Sequence, residues 1–437
     1  MKIYKSLLVL AAYGATTALS QNTTNTTNPE TFPLSTDEYF SFFFHEMLAL
    51  SNGGGAATGE ILRAASQITP GDFESVYTEF KFLADSLHSV AASINATRYP
   101  VSSREAYFRA ASYYRASVFF LIGNQTDTRL FDIWDIARAD FDAAMALLDV
   151  PGERVTIKGP GFDIPIIFWK ADRHDGTPAP TLLLGSGYDA PQEETYHQLG
   201  REVLSRGWNL VTYEGPGQPS VRREQGLGFI SDWWTVVTPV VDYLTSERGT
   251  EVDARRIALG GLSFGGTLAP LAASREHRIA ATVAIEGLYS LQQGTLAQFP
   301  AAVAALFNSG NRTAFDAYLN AARASPSVSS QFRWFVDQGL WAFATQSPFD
   351  WFTRLGDVSL SPEILANITC PVFVGRGQID ETAPGQERQV ADLLGDRAHY
   401  HEFEQALGAG EHCQLGAEPQ LAQAVMDWLG DVFEKIE

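Results

Sequence analysis

One short segment strongly constrains the fold of this chain. Residues 256–266, with the sequence RIALGGLSFGG, begin as an apolar strand and end in small residues that suit the start of a helix. Within it, Gly261, Ser263 and Gly265 form a Gly-x-Ser-x-Gly sequence. A serine on a sharp strand-to-helix turn needs glycine two positions before and after it, because the neighbouring backbone passes close by. The segment therefore predicts that Ser263 is a nucleophile lying above the edge of a sheet.

Two further polar residues follow later predicted strands. Asp380 follows the apolar run 371–375, and His412 follows the alternating segment 398–404. Because the carboxyl ends of parallel strands meet at one edge of a sheet, we expect both side chains to lie near Ser263. In such a triad the histidine takes the serine proton and the carboxylate orients the histidine. The joint order Ser, Asp, His therefore predicts nucleophilic catalysis.

Each of these residues also has a structural interpretation when it is taken alone. An aspartate after a strand commonly forms a turn, and a lone histidine is commonly a structural residue. His399 and His401 compete with His412, but they lie inside a predicted strand and point to one face of the sheet, which suits a structural role. Glu381 competes with its neighbour Asp380 and is the weaker candidate.

The sequence also predicts donors for a developing oxyanion. The amide of Phe264 lies at the start of the predicted helix, where N–H groups are unpaired. A second amide should come from the glycine-containing loop 185–189, which follows the buried strand 179–184. Either Gly187 or Tyr188 can supply it, and we favour Tyr188, with Gly187 lining the substrate site. The alternative is a glycine-rich turn without a chemical role.

Two helical regions flank the predicted strands. Residues 35–150 have helical periodicity and predict an all-helical N-terminal domain, so the domain with the sheet should span 151–437. A long helical stretch at about 288–362 is rich in aromatic residues and predicts a lid over the serine. Its rings alternatively pack against the N-terminal helices. The candidate substrate contacts are Trp334 and Trp341 in this stretch and Glu286 before it; Glu286 alternatively caps a helix.

The N-terminus has the layout of a secretory signal peptide. Residues 1–20 carry two lysines, a short apolar run and small residues, and the run is too short to span a membrane. A Thr/Asn-rich segment at 21–34 predicts a disordered, glycosylated linker. We therefore expect a secreted protein or one in the secretory pathway. The Asn-x-Ser/Thr glycosylation sequons are Asn22, Asn25, Asn95, Asn124, Asn311 and Asn367.

Composition excludes several classes of partner. The net charge of −20 argues against nucleic acid and anionic membranes. No Cys or His cluster has metal-ligand spacing, and no nucleotide-binding loop is present in the sequence, so we expect no cofactor and no metal. Cys370 and Cys413 should lie at opposite ends of neighbouring strands, so we predict two free thiols. The expected partner is a small aromatic or acyl substrate, and monomer and homodimer both stay open.

Several motifs together carry a family resemblance. They are Gly185-Ser-Gly-Tyr-Asp, Glu214-Gly-Pro-Gly-Gln, Gly261-Leu-Ser-Phe-Gly-Gly, Gly377-Gln-Ile-Asp and Glu411-His-Cys. Over roughly residues 35 to 435 the chain resembles the α/β-hydrolase family of the fungal yellowish-green pigment hydrolases, which shorten a polyketide chain, and of the bacterial 2,6-dihydroxypseudooxynicotine hydrolase. Gln218 with Pro219 departs from the family pattern and affects the shape of the pocket.

The resemblance implies a fold and an activity. The fold is an α/β-hydrolase fold with a mostly parallel eight-stranded sheet, an N-terminal helical domain and a helical lid. The activity is hydrolysis of a carbon–carbon, ester or thioester bond in an aromatic or polyketide-like carbonyl compound, within secondary metabolism, with Ser263, Asp380 and His412 as the triad. The alternatives are a general secreted carboxylesterase, a peptidase and a non-catalytic binding protein with a hydrolase fold.

Overall fold

The structure is a computed structural model that describes residues 31–436. The predicted signal peptide, most of the predicted linker and the sequons at Asn22 and Asn25 lie outside the described residues. The cysteines Cys370 and Cys413 are free thiols, as predicted. Within residues 31–436, no helix is both long and apolar enough to cross a membrane.

From residue 31 onward, five α-helices precede the first strand. The carboxylate of Asp37 begins the first helix by accepting a hydrogen bond from the amide of Phe40 at 3.0 Å. Phe40 and three further apolar residues of this helix, at three- and four-residue spacing, are fully buried, so helical periodicity supplies the local core. The helices are α1 (Glu38–Ala49), α2 (Thr58–Gln67), α3 (Phe73–Ser93), α4 (Pro100–Ser117) and α5 (Arg129–Met145).

Eight strands then form one sheet in the order β1-β2-β4-β3-β5-β6-β7-β8. The pairs β1–β2 and β2–β4 are antiparallel, and every other pair is parallel. The strands are β1 (Glu153–Lys158), β2 (Asp163–Trp169), β3 (Ala179–Gly185), β4 (Asn209–Tyr213), β5 (Val252–Leu262), β6 (Ala281–Ile285), β7 (Val372–Gly377) and β8 (Ala398–Phe403). The predicted fold class, with its mostly parallel sheet and helical N-terminal region, is confirmed.

Helices cover the sheet and connect its strands. Those between β3 and β6 are α6 (Gln192–Thr195), α7 (Arg201–Ser205), α8 (Pro219–Gln225), α9 (Trp234–Ser246) and α10 (Gly265–Ala273). Those between β6 and β7 are α11 (Leu291–Gln298), α12 (Ala301–Asn308), α13 (Arg312–Arg323), α14 (Ser330–Ala342), α15 (Pro348–Asp357) and α16 (Pro362–Ala366). The last two are α17 (Gln386–Leu394) and α18 (Glu418–Phe433). The predicted lid region is therefore six helices without a strand.

The start and the end of the described chain contact each other. The hydroxyl of Thr31 donates a hydrogen bond to Glu411, and the side-chain Nδ2 of Asn52 donates one to Glu418. Glu411 directly precedes His412 in the sequence. The N-terminal helices are therefore attached to the loop that follows the last strand.

Candidate active site

Ser263 lies on the turn between β5 and α10. Its φ of +58° is in the left-handed region, which a non-glycine residue rarely adopts. A Cβ atom on Gly261 would collide with the carbonyl oxygen of Gly265, and one on Gly265 would lie 2.6 Å from the carbonyl oxygen of Ser186. Both flanking positions therefore require glycine. This is the steric requirement that the Gly-x-Ser-x-Gly pattern predicts.

The three residues predicted as a triad are brought together. Nε2 of His412 lies 2.8 Å from Oγ of Ser263, and Nδ1 of His412 lies 2.6 Å from Oδ2 of Asp380. Asp380 follows β7 and is 5% exposed, and it is further held by the amide of Thr382 at 2.8 Å. The three side chains therefore lie together where the sequence predicts them, beyond the carboxyl ends of neighbouring parallel strands.

Electrostatics favours a charged pair of Asp380 and His412. Burial opposes ionisation of Asp380, but His412 and the hydrogen bonds to this carboxylate hold its pKa below the ordinary range. Burial likewise disfavours the imidazolium of His412, whereas the charge of Asp380 and its hydrogen bond to His412 raise the histidine pKa well above its ordinary value. Burial also raises the pKa of the Cys413 thiol, which is neutral near pH 7. The carboxylate of Asp380 is therefore the charge that stabilises the imidazolium.

The loop after β3 lies against the serine. A Cβ atom on Gly187 would lie 2.9 Å from Cβ of Ser263 and 3.0 Å from the amide nitrogen of Phe264. Phe264 directly precedes α10, so its amide lies at the start of a helix. Gly187 and Phe264 therefore border one small space beside Oγ, which suits a developing oxyanion.

Gln218 fixes the position of this loop. Its Nε2 donates to the carbonyl of Ser186 at 2.9 Å and lies 3.3 Å from that of Gly187, while its Oε1 accepts from the amide of Gly215 at 2.9 Å. Gln218 is fully buried. In the sequence, Gln218 is noted only as a departure from the family pattern that affects the shape of the pocket. Its hydrogen bonds show that it connects the loop after β3 to the loop after β4.

Tyr188 connects the same loop to the lid. Its carbonyl accepts a hydrogen bond from Nε2 of Gln338 at 2.8 Å, and its hydroxyl accepts one from Nε1 of Trp351 at 2.9 Å. Its ring packs edge-on against Phe264 at 5.7 Å. Both lid helices α14 and α15 therefore help to position Tyr188, whose amide as an oxyanion donor stays a prediction.

Glu286 lies beneath the triad and is fully buried. One carboxylate oxygen accepts from the amide of Gly377 at 2.6 Å and from Nε2 of Gln414 at 2.9 Å. Its φ is +52°, and burial followed by the nearby charge of Asp380 raises its pKa well above the ordinary value. These contacts connect Glu286 to the end of β7 and to the loop that carries His412, while a substrate contact of Glu286 stays a prediction.

Three carboxyl groups converge at this point. Oxygen atoms of Glu286, Asp380 and Glu387 all lie within 4.8 Å of one another. Burial raises the pKa of Glu387 to about 7, so both glutamates favour protonated forms over a trio of charges. Asp380 is already bound to His412. The cluster is therefore a group of buried acids in which burial disfavours ionisation of the two glutamates.

Helix α1 covers the site from the N-terminal side. Tyr39, Phe42 and Glu46 recur at three- and four-residue spacing and so lie on one face of the helix. The ring of Phe42 lies 6.4 Å from the ring of His412, and the charge of His412 acts on the carboxyl of Glu46. Sequence reasoning missed these residues, because helical periodicity over residues 35–150 does not show what each helix face contacts. The only available signal was three consecutive phenylalanines, which cannot all face one side of a helix.

The two tryptophans predicted to contact substrate lie in different places. Trp334 is 9% exposed and stacks on Phe119 at 5.0 Å, so it packs the lid against the N-terminal helices. Trp341 lines a cavity and lies beneath Arg222, whose guanidinium is 4.4 Å from the ring. The alternative given by the sequence, packing against the N-terminal helices, therefore describes both tryptophans, because Trp341 is 3% exposed and its ring lies 6.0 Å from that of Phe131 in α5.

A buried ionic cluster adjoins Tyr188. Arg115 is 7% exposed and pairs with Asp189 at 2.9 Å and with Glu194 at 3.0 Å. Burial raises the pKa of Glu194 to about 7 and that of Glu46 to about 8, although Arg115 opposes both shifts. The cluster therefore joins helices α1, α4 and α6 behind the loop that borders the serine.

This geometry has a defined chemical capability. A serine hydroxyl bound to a histidine, which is itself bound to a buried carboxylate, can be deprotonated as it attacks a carbonyl carbon. Amides at the start of a helix can stabilise the negative charge that then develops on oxygen. The arrangement is suited to acyl transfer and hydrolysis, and it requires no redox group.

Comparison with known proteins decides the family. No family model matches the sequence. The α/β hydrolase psoB of Aspergillus fumigatus is 30% identical over 425 residues, which cover 90% of this chain and 93% of that protein. The chain belongs to the α/β-hydrolase family. Another relative, the 20-hydroxy-prefusarin hydrolase FUS2 of Gibberella moniliformis, is 30% identical over 343 residues, 77% of this chain and 81% of that protein. The resemblance predicted from the motifs is confirmed.

Solved structures agree on the α/β-hydrolase fold. The 2,6-dihydroxy-pseudo-oxynicotine hydrolase superposes with a TM-score of 0.70 over 89% of this chain and 95% of that chain, at 19% identity. AbyA5 superposes with a TM-score of 0.57 over 86% of this chain and 95% of that chain, at 18% identity. At such low identity these likenesses show the fold alone, including the helical regions that accompany the sheet.

Proposed function

We propose that this α/β hydrolase is a serine hydrolase in which Ser263 is the nucleophile. The observation that carries the proposal is the continuous hydrogen-bonded chain from Ser263 through His412 to Asp380. His412 takes the serine proton as Oγ attacks a carbonyl carbon, and the amides of Phe264 and Tyr188 stabilise the oxyanion. His412 then returns the proton to the leaving group, and water releases the acyl group by the same route.

The proposed substrate is an aromatic or polyketide-like carbonyl compound. Aromatic side chains from both helical regions surround the serine loop, including Phe42 beside His412 and the ring of Phe335 stacked at 6.0 Å on Tyr188. Such walls favour flat, apolar groups. The bond cleaved is carbon–carbon, ester or thioester, and the name of the relative FUS2 as a 20-hydroxy-prefusarin hydrolase supports a role in secondary metabolism.

Fluorophosphonate labelling tests the nucleophile. The purified protein is treated with the probe and the modified residue is located by mass spectrometry, with Ser263→Ala as the control. We expect labelling at Ser263 alone, and Ser263→Ala should lose labelling and turnover while its melting temperature stays close to that of the wild type. A folded wild-type protein that is not labelled, or a variant that is labelled equally, would contradict the proposal. A panel of short-chain nitrophenyl esters then separates a general carboxylesterase from a carbon–carbon hydrolase.

We also propose that the protein passes through the secretory pathway and is glycosylated. The support is the signal-like sequence at residues 1–20 together with the exposure of the four sequon asparagines within the described residues, which are Asn95, Asn124, Asn311 and Asn367. Expression from the full-length sequence in a secreting host, followed by enzymatic removal of N-glycans, should give a stepwise decrease in mass. Retention of the first 20 residues in an unglycosylated protein would contradict this proposal.

A further inference from the structure

Helix α1 brings one acidic side chain to the surroundings of His412. Phe42 lies beside His412, with 6.4 Å between the two rings. Glu46 follows Phe42 by four residues, so it lies on the same face of α1, about 5–6 Å further along the helix. Nε2 of His412 is in turn 2.8 Å from Oγ of Ser263. Glu46 therefore belongs to the face of α1 that adjoins the serine–histidine pair.

Glu46 lines a recess inside the protein. It is half-buried and retains accessible surface, as do its neighbours in this recess, Phe42, His412 and Ser263. Burial is nevertheless the largest cause of the rise in its pKa to about 8. A carboxyl group on the outer surface is surrounded by water and shows no such rise. Glu46 therefore faces a partly accessible space that protein encloses.

The carboxyl group of Glu46 has no hydrogen-bond or ion-pair partner among residues 31–436. The charge of Arg115 acts on it, but this guanidinium already pairs with Asp189 at 2.9 Å and with Glu194 at 3.0 Å. The charges of these two carboxylates oppose the ionisation of Glu46. Near pH 7 the carboxyl group of Glu46 is therefore mainly protonated, and its O–H is a donor without an acceptor.

Other polar groups reach the same recess from two elements. The charge of His412 acts on the carboxyl group of Asp189, in the loop after β3, as it acts on that of Glu46. Burial, and then the charges of Asp189 and Glu46, raise the pKa of the Tyr39 hydroxyl well above its ordinary value. The ring of Tyr39 stacks on that of Phe42 at 5.9 Å. The recess therefore has a polar end, formed by α1 and the loop after β3, next to the catalytic histidine.

We propose that Glu46 binds the substrate by donating a hydrogen bond from its protonated carboxyl group to an uncharged oxygen atom, while Ser263 attacks a separate carbonyl carbon. A donor that is enclosed by protein and lacks an acceptor discriminates against compounds without that oxygen. A substrate anion is disfavoured, because Arg115 is already paired with Asp189 and Glu194. The proposal rests on the proposed function, and it narrows the substrate class to neutral carbonyl compounds with a second oxygen acceptor.

Calorimetric titration with 1-phenylpentane-1,4-dione and 1-phenylpentan-1-one tests the hydrogen bond without turnover. The two ligands share the phenyl ketone and the carbon chain, but only the dione has a second oxygen. We expect the wild type to bind the dione more tightly near pH 7. Glu46→Leu should weaken dione binding about threefold to tenfold and change ketone binding less than about twofold. Equal binding of the two ligands by the wild type, or an unchanged dione affinity in Glu46→Leu, would overturn the role of Glu46.

Glu38→Gln is the matched control. Glu38 is an exposed glutamate of the same helix, so its loss should leave both affinities unchanged. Glu46→Gln keeps an N–H donor in place of the carboxyl O–H, so it should retain most of the preference for the dione, and it serves if Glu46→Leu does not fold. Loss of the preference in Glu38→Gln as well would show that the charge of the helix, rather than a hydrogen bond, determines binding, and would overturn the proposal.

The pH dependence separates a hydrogen bond from a structural role of Glu46. Near pH 9.5 the wild type should lose most of its preference for the dione, because Glu46 ionises with a pKa of about 8 and then has no proton to donate. Glu46→Gln should keep the preference at this pH, since its amide does not ionise. The groups whose charges act on or respond to Glu46 are the same in both proteins, and they are Tyr39, Arg115, Asp189, Glu194 and His412. A wild-type preference that persists near pH 9.5 would contradict the proposal.

Labelling at Ser263 distinguishes this proposal from the proposed function. Fluorophosphonate labelling is measured with and without saturating dione, and slower labelling supports a ligand bound beside Ser263. An unchanged rate would overturn the shared recess. If the folded wild type is not labelled but the Glu46 variants change dione binding as expected, the serine mechanism is contradicted while the hydrogen bond of Glu46 is supported.

Discussion

The ring of Phe42 lies 6.4 Å from the imidazole ring of His412, although the two residues belong to the first helix and to the loop after the last strand. The cleft beside Ser263 therefore has one wall from the sheet and another from the N-terminal helical region. The helices before the sheet therefore contribute to the surroundings of His412.

Phe42→Ala should weaken activity more than stability. The ring is partly buried and lies beside His412, so its loss admits water and removes an apolar wall. We expect kcat/KM for a nitrophenyl ester, or the rate of fluorophosphonate labelling, to fall about tenfold. Phe82→Ala is the matched control, because Phe82 is 54% exposed on α3 of the same helical region. Equal rates in the two variants would show that α1 does not contribute to the site.

Gly187→Ala should block the oxyanion space. The added methyl group would lie 2.9 Å from Cβ of Ser263 and 3.0 Å from the amide nitrogen of Phe264. Losing one oxyanion donor typically costs about a hundredfold to a thousandfold in rate, and we expect at least this loss. Gly430→Ala in α18 meets no atom within 4 Å, so it should keep full activity and raise the free energy of unfolding by about 0.5–1 kcal/mol. Kinetics and thermal unfolding of both variants check these outcomes.

Activity should rise with pH through a value above 6.5. His412 must be neutral to accept the serine proton, and Asp380 raises its pKa well above the ordinary value. We expect the rate constant for fluorophosphonate labelling to fall as His412 becomes protonated at lower pH. Asp380→Asn should shift this transition to lower pH and reduce the rate on the order of ten-thousand-fold. A profile that is flat between pH 5 and 9, or unshifted in the variant, would contradict the assigned pair.

Glu46→Gln should stabilise the protein at high pH only. Burial raises the pKa of Glu46 from its ordinary value of 4.5 to about 8 in the folded protein. The folded state therefore binds a proton more tightly than the unfolded state, and its stability falls as pH rises from 4.5 through about 8. Glutamine cannot ionise and avoids this loss. The melting temperatures of variant and wild type should be similar near pH 4.5 and should differ in favour of the variant above pH 8.

The sequence predicted the positions of Ser263, Asp380 and His412 because each follows a strand, and parallel strands bring their carboxyl ends together. It also predicted that His399 and His401 are structural, and both rings pack on Phe373, at 5.3 Å and 5.7 Å. Local pattern could not predict which face of α1 meets a loop more than 360 residues away. Periodicity identifies an apolar face, but the partner of that face depends on packing across the whole molecule.

The sequence also could not predict polar contacts between loops, because these contacts likewise depend on the whole fold. The side chain of Gln218 binds backbone carbonyls of a different loop, and backbone groups have no sequence signature. In the sequence, Arg223 is one of several charged residues in a polar segment. Only the fold shows that it lies between two tryptophans and faces a cavity.

The contact of Thr31 with Glu411 joins residues 380 positions apart. At translation rates of about 5–20 residues per second, α1 leaves the ribosome tens of seconds before the loop with His412 exists. During that interval the exposed ring of Phe42 on α1 lacks its native neighbour His412. The newly made chain must therefore keep this aromatic surface from aggregating, and its catalytic cleft is completed only as synthesis ends.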